Sequence, residues 1–160
     1  MSPLFPPMAK YQNGETLVFQ TYIFPKGKFA NFVDVLRETA EKDDAPIVLV
    51  LLANLNEDET VMLSSASGED TFSITLALVQ RMTPDGDKKV SSFNREMIGE
   101  VIKLGGTIHL AHRMNYSKAE LRQLYPQADE FFALKRKYDP SELFSNYFYE
   151  KYGKAPGMQR

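Results

Sequence analysis

Two histidines, His109 and His112, are the side chains of this 160-residue sequence best suited to proton transfer. Imidazole titrates near neutral pH without perturbation, so either residue could serve as a general acid or base. Their spacing would let both bind one metal ion on a helix, but on a regular strand it points them to opposite faces. A shared metal site therefore requires a bulge or a strand that ends near Ala111. Two ordinary hydrogen-bonded histidines are the simpler interpretation, and we expect no metal site.

The remaining polar clusters do not match known reactive motifs. The carboxylates of residues 57–59, 69 and 70 lack the ligand spacing of an EF-hand loop, which favours a solvated acidic loop. Residues 64–68 lack the strand-turn-helix context of a nucleophile elbow, and no glycine-rich phosphate loop is present. With no cysteine in the chain, disulfides, thiolate metal sites and cysteine nucleophiles are excluded.

Composition indicates a folded globular domain. Hydrophobic residues make up 43% and charged residues 25%, with a formal net charge of -2, which matches an average soluble protein. Without a broad basic surface, nucleic acid is not an expected partner. The Pro-rich N-terminus resembles neither a signal peptide nor a membrane span, so we expect no membrane span and take the cytoplasm as the default location.

Hydrophobic periodicity predicts four strands and two helices in the order β-α-β-β-α-β. The strands are expected at residues 17–24, 47–52, 72–81 and 107–112, and the helices at 29–40 and 93–104. The continuous apolar run at 47–52 is typical of a strand buried on both faces. A long acidic loop is expected at 54–70, and Thr83-Pro84-Asp85-Gly86 reads as a turn that ends the third strand. Ser117 and Glu120 form a capping box that predicts a third helix.

This order is the signature of an α+β, ferredoxin-like split β-α-β sandwich with a C-terminal helical tail. Two helices would cover one face of a four-stranded antiparallel sheet. The other face would meet either the tail helix at 127–138 or a missing partner domain. We expect residues 1–16 to be a domain-boundary segment and 17–160 a single domain. Fold alone does not specify function.

The last third of the chain resembles a known enzyme family. The segments that carry the resemblance are Gly105-Gly106-Thr107-Ile108-His109-Leu110-Ala111-His112-Arg113, Leu124-Tyr125-Pro126, Lys135-Arg136-Lys137-Tyr138-Asp139-Pro140 and Leu143-Phe144-Ser145-Asn146. They are similar to the C-terminal portion of vanillyl-alcohol-oxidase-type FAD oxidoreductases. The sugar and aldonolactone oxidases and the decaprenylphosphoryl-ribose oxidases are the nearest branch.

The resemblance implies a substrate-binding cap domain over a flavin that performs the hydride chemistry. It assigns His109 and His112 to catalysis and flavin contact, Asn146 to cofactor contact, and Thr21 and Ser73 to substrate binding. His112 stands where the family usually has a lysine. Because imidazole is only half-protonated near pH 6.5, His112 would stabilise negative charge on a reduced flavin only when protonated.

The family's FAD-binding domain has no counterpart in this sequence. We therefore expect the chain alone to be inactive and to hold no stoichiometric FAD, with the flavin half supplied as a further domain or subunit. A small-molecule substrate is the other expected partner, and a homodimer is possible through the uncovered sheet face. The alternative is a stand-alone ferredoxin-like ligand-binding or oligomerisation module that shares the fold.

Overall fold

The computed structural model describes residues 14–66 and 68–154. The strands are β1 (Glu15–Pro25), β2 (Ile47–Leu55), β3 (Thr71–Arg81) and β4 (Thr107–Ile108). The helices are α1 (Phe29–Lys42), α2 (Pro84–Lys103), α3 (Lys118–Leu124) and α4 (Ala128–Tyr138), with a π-helical turn at Tyr149–Gly153. Most of the expected boundary segment at residues 1–16 lies outside the described residues.

The four strands form one antiparallel sheet in the order β2-β3-β1-β4. β1 and β3 pair along their whole length, with Thr21 opposite Thr75 and Ile23 opposite Ser73. Together with α1 and α2, this sheet confirms the ferredoxin-like split β-α-β sandwich.

One face of the sheet packs against α1 and α2. Tyr22 and Phe24 of β1 are fully buried there, and Phe24 stacks on Phe32 of α1 with ring centroids 4.2 Å apart. Phe93 and Met97 of α2 complete this core. Because side chains alternate along a strand, the even-numbered residues of β1 and β3 face the helices and the odd-numbered ones face away. We call the second face the open face.

The prediction that the apolar run of β2 is buried on both faces was wrong. β2 is an edge strand that pairs only with β3, and its large side chains are exposed by 47 to 55% at Val48, Val50, Leu51 and Leu52. The run is apolar without being central in the sheet.

Two boundaries also differ from the predictions. β3 does end at Arg81, but Thr83 is the N-cap of α2 and accepts a hydrogen bond from Gly86 N–H, with Pro84 as first helical residue. Proline suits that position because its missing N–H has no helical partner there. The second helix therefore begins nine residues before the predicted Phe93. β4 ends at Ile108 instead of His112, and the histidines lie in the turn that follows.

The helical tail extends the hydrophobic core. Phe132 of α4 contacts Phe148 and Tyr149, and the rings of Tyr116 and Tyr152 stack at 5.0 Å. The capping box of Ser117 and Glu120 begins α3 as predicted. None of the helices described here is long and apolar enough to cross a membrane.

Candidate functional site

The open face carries a pair of threonine hydroxyls surrounded by apolar side chains. Thr21 and Thr75 lie opposite each other on β1 and β3, and their Oγ1 atoms are 2.8 Å apart. Leu51 extends this row on β2, and the neighbouring row contains Phe19, Ala77 and Leu49. We call these six residues the open-face patch. Phe19 and Leu51 are exposed in this patch, whereas Thr21 and Ala77 are buried.

The Pro25 end of the open face is covered by a loop. This covering loop comprises residues 56–66 and 68–70, and Ala66 within it is buried. Thr107 of β4, which pairs with Ile23, donates its hydroxyl hydrogen bond to the Ser65 carbonyl at 3.0 Å. The loop therefore covers the Pro25 end of the open face and leaves Phe19 and Leu51 exposed.

Beneath the covering loop is a cavity of about 250 Å³. Its lining includes Ile23, Thr71, Ser65 and Tyr125. The Thr71 hydroxyl is buried without a hydrogen-bond partner among the described residues. A buried hydroxyl without a partner is costly, so this cavity favours a ligand or water that supplies the missing hydrogen bond.

His109 lies beside the patch. Its backbone N–H donates to the Thr21 carbonyl at 3.1 Å, which continues the pairing of β4 with β1 and places His109 at the edge of the open face. The imidazole is exposed, and its Nδ1 accepts a hydrogen bond from Ala111 N–H at 3.3 Å. In the neutral ring the proton is then on Nε2, so His109 presents a donor toward solvent.

His112 is brought close to His109 by the turn. The ring centroids are 4.8 Å apart, and His112 N–H donates to the His109 carbonyl. Partial burial lowers the pKa of His112 below its ordinary value, and the nearby His109 lowers it further. His112 is therefore neutral at pH 7 and cannot act there as a substitute for a lysine cation.

The family-like motifs around the histidines have structural roles. Gly105 adopts a φ of +73° at the end of α2, and a Cβ on Gly106 would lie 2.3 Å from the Ile23 carbonyl oxygen. Tyr125 donates its hydroxyl hydrogen bond to the Ile108 carbonyl at 2.5 Å. These contacts hold the end of β4 against β1, and so fix where the histidine turn begins.

The tail segment that carries the family resemblance is similarly engaged in local hydrogen bonds. Asn146 accepts a hydrogen bond from Tyr149 N–H at 2.9 Å through its side-chain oxygen, which caps the C-terminal helical turn. Asp139 pairs with Lys135, and its carboxylate accepts hydrogen bonds from the backbone N–H groups of Leu143 and Phe144.

The structure thus groups four of the five predicted site residues on one side of the sheet. Thr21 and Ser73 lie on the open face, and His109 and His112 lie at its β4 edge. Asn146 belongs to the tail, and its described hydrogen bond lies within that tail. Sequence reasoning missed Thr75, because its pairing with Thr21 depends on strand register, which no local pattern specifies.

Three of the four α-helices described here are poorly suited to hold the pyrophosphate of a flavin cofactor at their N-termini. A helix N-terminus binds phosphate through free N–H groups, and nearby carboxylates repel it. The first turns of α2, α3 and α4 contain acidic residues, whereas the first turn of α1 contains none and follows Lys26 and Lys28. Among the residues described, no group of three or more histidine and carboxylate side chains could hold a metal ion.

Comparison with protein families gives a match over most of the chain. The model of the family described as D-arabinono-1,4-lactone oxidase matches residues 18–152, which run from within β1 to within the π-helical turn of the tail. Comparison with individual curated proteins finds no relative that matches the chain. Because the match covers most of the sequence, the chain belongs to the D-arabinono-1,4-lactone oxidase family.

Proposed function

We propose that this chain is the C-terminal, substrate-side domain of an FAD-dependent oxidoreductase of the sugar and aldonolactone oxidase branch. Its substrate would be a sugar, polyol or lactone whose CH–OH group is oxidised. FAD, when bound, supplies the hydride acceptor. The flavin would be held by another domain or subunit, so the chain alone is inactive.

The observation that carries this proposal is the open-face patch. Helices cover the opposite face of the sheet, whereas Phe19 and Leu51 remain exposed on either side of the Thr21–Thr75 hydroxyl pair. Exposed apolar side chains can pack against an aromatic ring system, and nearby hydroxyl groups can orient a hydroxylated substrate. The family match supports the same use of the domain.

Each predicted site residue has a role in this proposal. Thr21 and Ser73 orient the substrate from the sheet, and His109 donates a hydrogen bond from Nε2 to a substrate or flavin oxygen. His112 is neutral at pH 7 and can accept the proton that leaves the substrate hydroxyl as hydride departs from carbon. Asn146 would reach the cofactor through its amide nitrogen, because its oxygen caps the tail.

The patch also suggests how the isolated chain behaves. Exposed apolar surfaces are interaction sites. We propose that the flavin-carrying partner covers the open-face patch, and that without it two copies of the chain associate through this patch. Phe19→Ser would then shift sedimentation toward monomer without unfolding the chain.

Reconstitution tests the proposal. The chain is coexpressed with flavin-binding polypeptides from its own genome, and oxidation of D-arabinono-1,4-lactone and related polyols is followed with an artificial electron acceptor. We expect activity only when both polypeptides are present. Thr75→Val should reduce activity more than Thr75→Ser, which keeps the hydroxyl. If no flavoprotein associates with the chain, and lumiflavin leaves the amide NMR signals of Phe19 and Thr75 unchanged, the chain is a binding module instead.

A further inference from the structure

The free edge of β2 is an exposed apolar feature of the described residues. β2 pairs with β3 on one side only, and Val48, Val50, Leu51 and Leu52 are about half exposed. No strand among residues 14–66 and 68–154 pairs with the outer side of β2. Such an edge is a ready template for another strand.

Natural edge strands usually carry protection against pairing. Charged residues, proline, short length and pronounced bulges serve this purpose. The nine residues of β2 contain no charge and no proline, and the single irregularity in its pairing is at its start, between Ile47 and Leu49. The opposite edge strand, β4, has only two residues. The sheet is therefore protected at one edge and left open at the other.

Both faces of β2 are exposed, which restricts the kind of partner. Leu51 pairs with Thr75 and lies on the open face, whereas Val50 and Leu52 pair with Leu76 and Ile74 and lie on the helix side. A partner that only covered the open face would leave Val50 and Leu52 in solvent. A strand added to the edge contributes side chains to both faces, so it shields both sets.

The charges at the ends of β2 indicate the chemistry of that strand. Beyond Leu55, the chain continues with Glu57, Asp58 and Glu59, and no salt bridge reaches these three carboxylates from the described residues. Lys26 pairs with Asp70, whose side chain also accepts a hydrogen bond from Glu57 N–H. This end of the edge is acidic.

The Ile47 end is closer to neutral. Asp44 pairs with Lys89 at 3.0 Å, and Asp43 lies 3.9 Å from Lys42, which also binds Glu96. The carboxylates here have cationic partners within the chain. A complementary strand therefore needs positive charge at one end, opposite residues 57–59.

A second copy of this chain does not meet that requirement. Two β2 strands related by a two-fold axis would run antiparallel, so residues 57–59 of each copy would face the Ile47 end of the other. Lys42 and Lys89 at that end are already paired with Glu96 and Asp44, so they offer the carboxylates of residues 57–59 little further attraction.

We propose that the free edge of β2 binds an extended segment of another polypeptide as a fifth strand. That segment has an uncharged, β-branched centre and two or more lysine or arginine residues at the end that meets Glu57, Asp58 and Glu59. The site goes beyond the proposed oxidoreductase function and uses neither the histidines nor the Thr21–Thr75 pair.

Synthetic peptides test the site. The two probes have an alternating valine and threonine centre with three lysines at the N-terminus in one and at the C-terminus in the other. An added strand can run either parallel or antiparallel to β2. One of the two peptides should therefore place its lysines beside residues 57–59 and bind. A matched peptide has glutamates in place of the lysines, and another has N-methylated backbone nitrogens along one edge. Binding is measured by fluorescence anisotropy at low salt.

We expect the better lysine-ended peptide to bind about tenfold more tightly than its glutamate-ended match, as three exposed ion pairs can provide. The N-methylated peptide should not bind, because it cannot donate to the edge. Hydrogen exchange should show new protection at amides within Ile47–Leu55 and none in β4. In the chain with both Glu57→Gln and Glu59→Gln, most of the charge preference should be lost while the fold is retained, since both side chains are exposed.

Three results would overturn the proposal. One is equal binding of lysine-ended and glutamate-ended peptides. Another is peptide binding without protection of β2 amides. The third is concentration-dependent self-association that protects the same β2 amides, which would assign the edge to a second copy. None of these readouts depends on flavin or on oxidation, so the proposed function succeeds or fails separately.

Discussion

The imidazole rings of His109 and His112 lie 4.8 Å apart in the turn that follows β4. Two protonated rings at this distance would repel each other, and His112 Nδ1 is buried without a hydrogen-bond partner among the described residues. Both effects favour the neutral ring. The pKa of His112 is accordingly lowered by its partial burial and by His109.

We predict that His112 titrates below the ordinary histidine value of about 6.5. Its folded pKa is lower than its unfolded pKa, so the unfolded state takes up a proton first as pH falls. The free energy of unfolding is therefore unaffected by His112 above the unfolded pKa of this residue. It decreases as pH falls from the unfolded pKa to the folded pKa. NMR titration of the ring protons measures the pKa directly. In His112→Gln, the corresponding part of the pH dependence of unfolding should disappear. A His112 pKa at or above 6.5 would contradict the prediction.

The Thr21–Thr75 pair offers a test of coupling across the open face. Removing one hydroxyl leaves the other without its partner, so we expect Thr21→Val or Thr75→Val to cost about 1 kcal/mol of unfolding free energy. The double substitution should cost less than the sum of the two, because neither hydroxyl is then stranded. Urea unfolding of the three variants gives the coupling energy. Strict additivity would show that the 2.8 Å contact contributes nothing.

Sequence patterns predicted the elements whose signals are local. Alternation of Ile74, Leu76 and Leu78 placed β3, and the capping box of Ser117 and Glu120 placed the start of α3. Both signals depend on neighbours along the chain, so they can be recognised without knowing the tertiary structure.

The predictions that failed depended on tertiary context. The apolar run of β2 fits a central strand or an exposed edge equally well, and only the sheet order distinguishes the two. Pro84 fits a turn or a first helical turn, and α2 adopts the second. The end of β4 at Ile108 depends on contacts such as the Tyr125 hydrogen bond, which link residues distant in sequence. Fold class therefore followed from the sequence, whereas the shape of the candidate site did not.

The glycine pair before β4 should tolerate no side chain at its second position. In Gly106→Ala the new Cβ would meet the Ile23 carbonyl oxygen at 2.3 Å and Val101 Cγ1 at 2.9 Å. Since the backbone cannot move as easily as the end of a side chain, we expect the free energy of unfolding to fall by about 1–3 kcal/mol or more. Gly99→Ala is the matched control, because no atom lies within 4 Å of its Cβ position in α2. That change should stabilise by about 0.5–1 kcal/mol. Chemical unfolding measures both, and equal effects would refute the close-approach explanation.

Asn146 can be tested separately as a cap and as a cofactor contact. Asn146→Ala removes the oxygen that accepts Tyr149 N–H and should cost about 1 kcal/mol of stability. Asn146→Asp keeps the acceptor and should retain stability. In the reconstituted enzyme, Asn146→Asp removes the amide nitrogen proposed to reach the cofactor, so flavin reduction should slow although the tail is intact. Unchanged reduction would confine Asn146 to capping.

Asp139 should stabilise the tail in a pH-dependent way. Lys135 and the backbone N–H of Phe144 lower the pKa of Asp139 to about 2. Because the folded pKa is below the ordinary value of 3.8, the stabilisation is present above pH 3.8 and is lost as pH falls toward 2. Asp139→Asn removes the negative charge and leaves only one oxygen for the two N–H groups of Leu143 and Phe144. We expect a lower midpoint of thermal unfolding at pH 7 and little difference from the unsubstituted chain near pH 2.

Asp34→Asn on the exposed surface of α1 controls for loss of a carboxylate as such. A difference between Asp139→Asn and the unsubstituted chain that stays constant from pH 7 to pH 2 would show that the tail depends on the shape of this side chain and not on its charge.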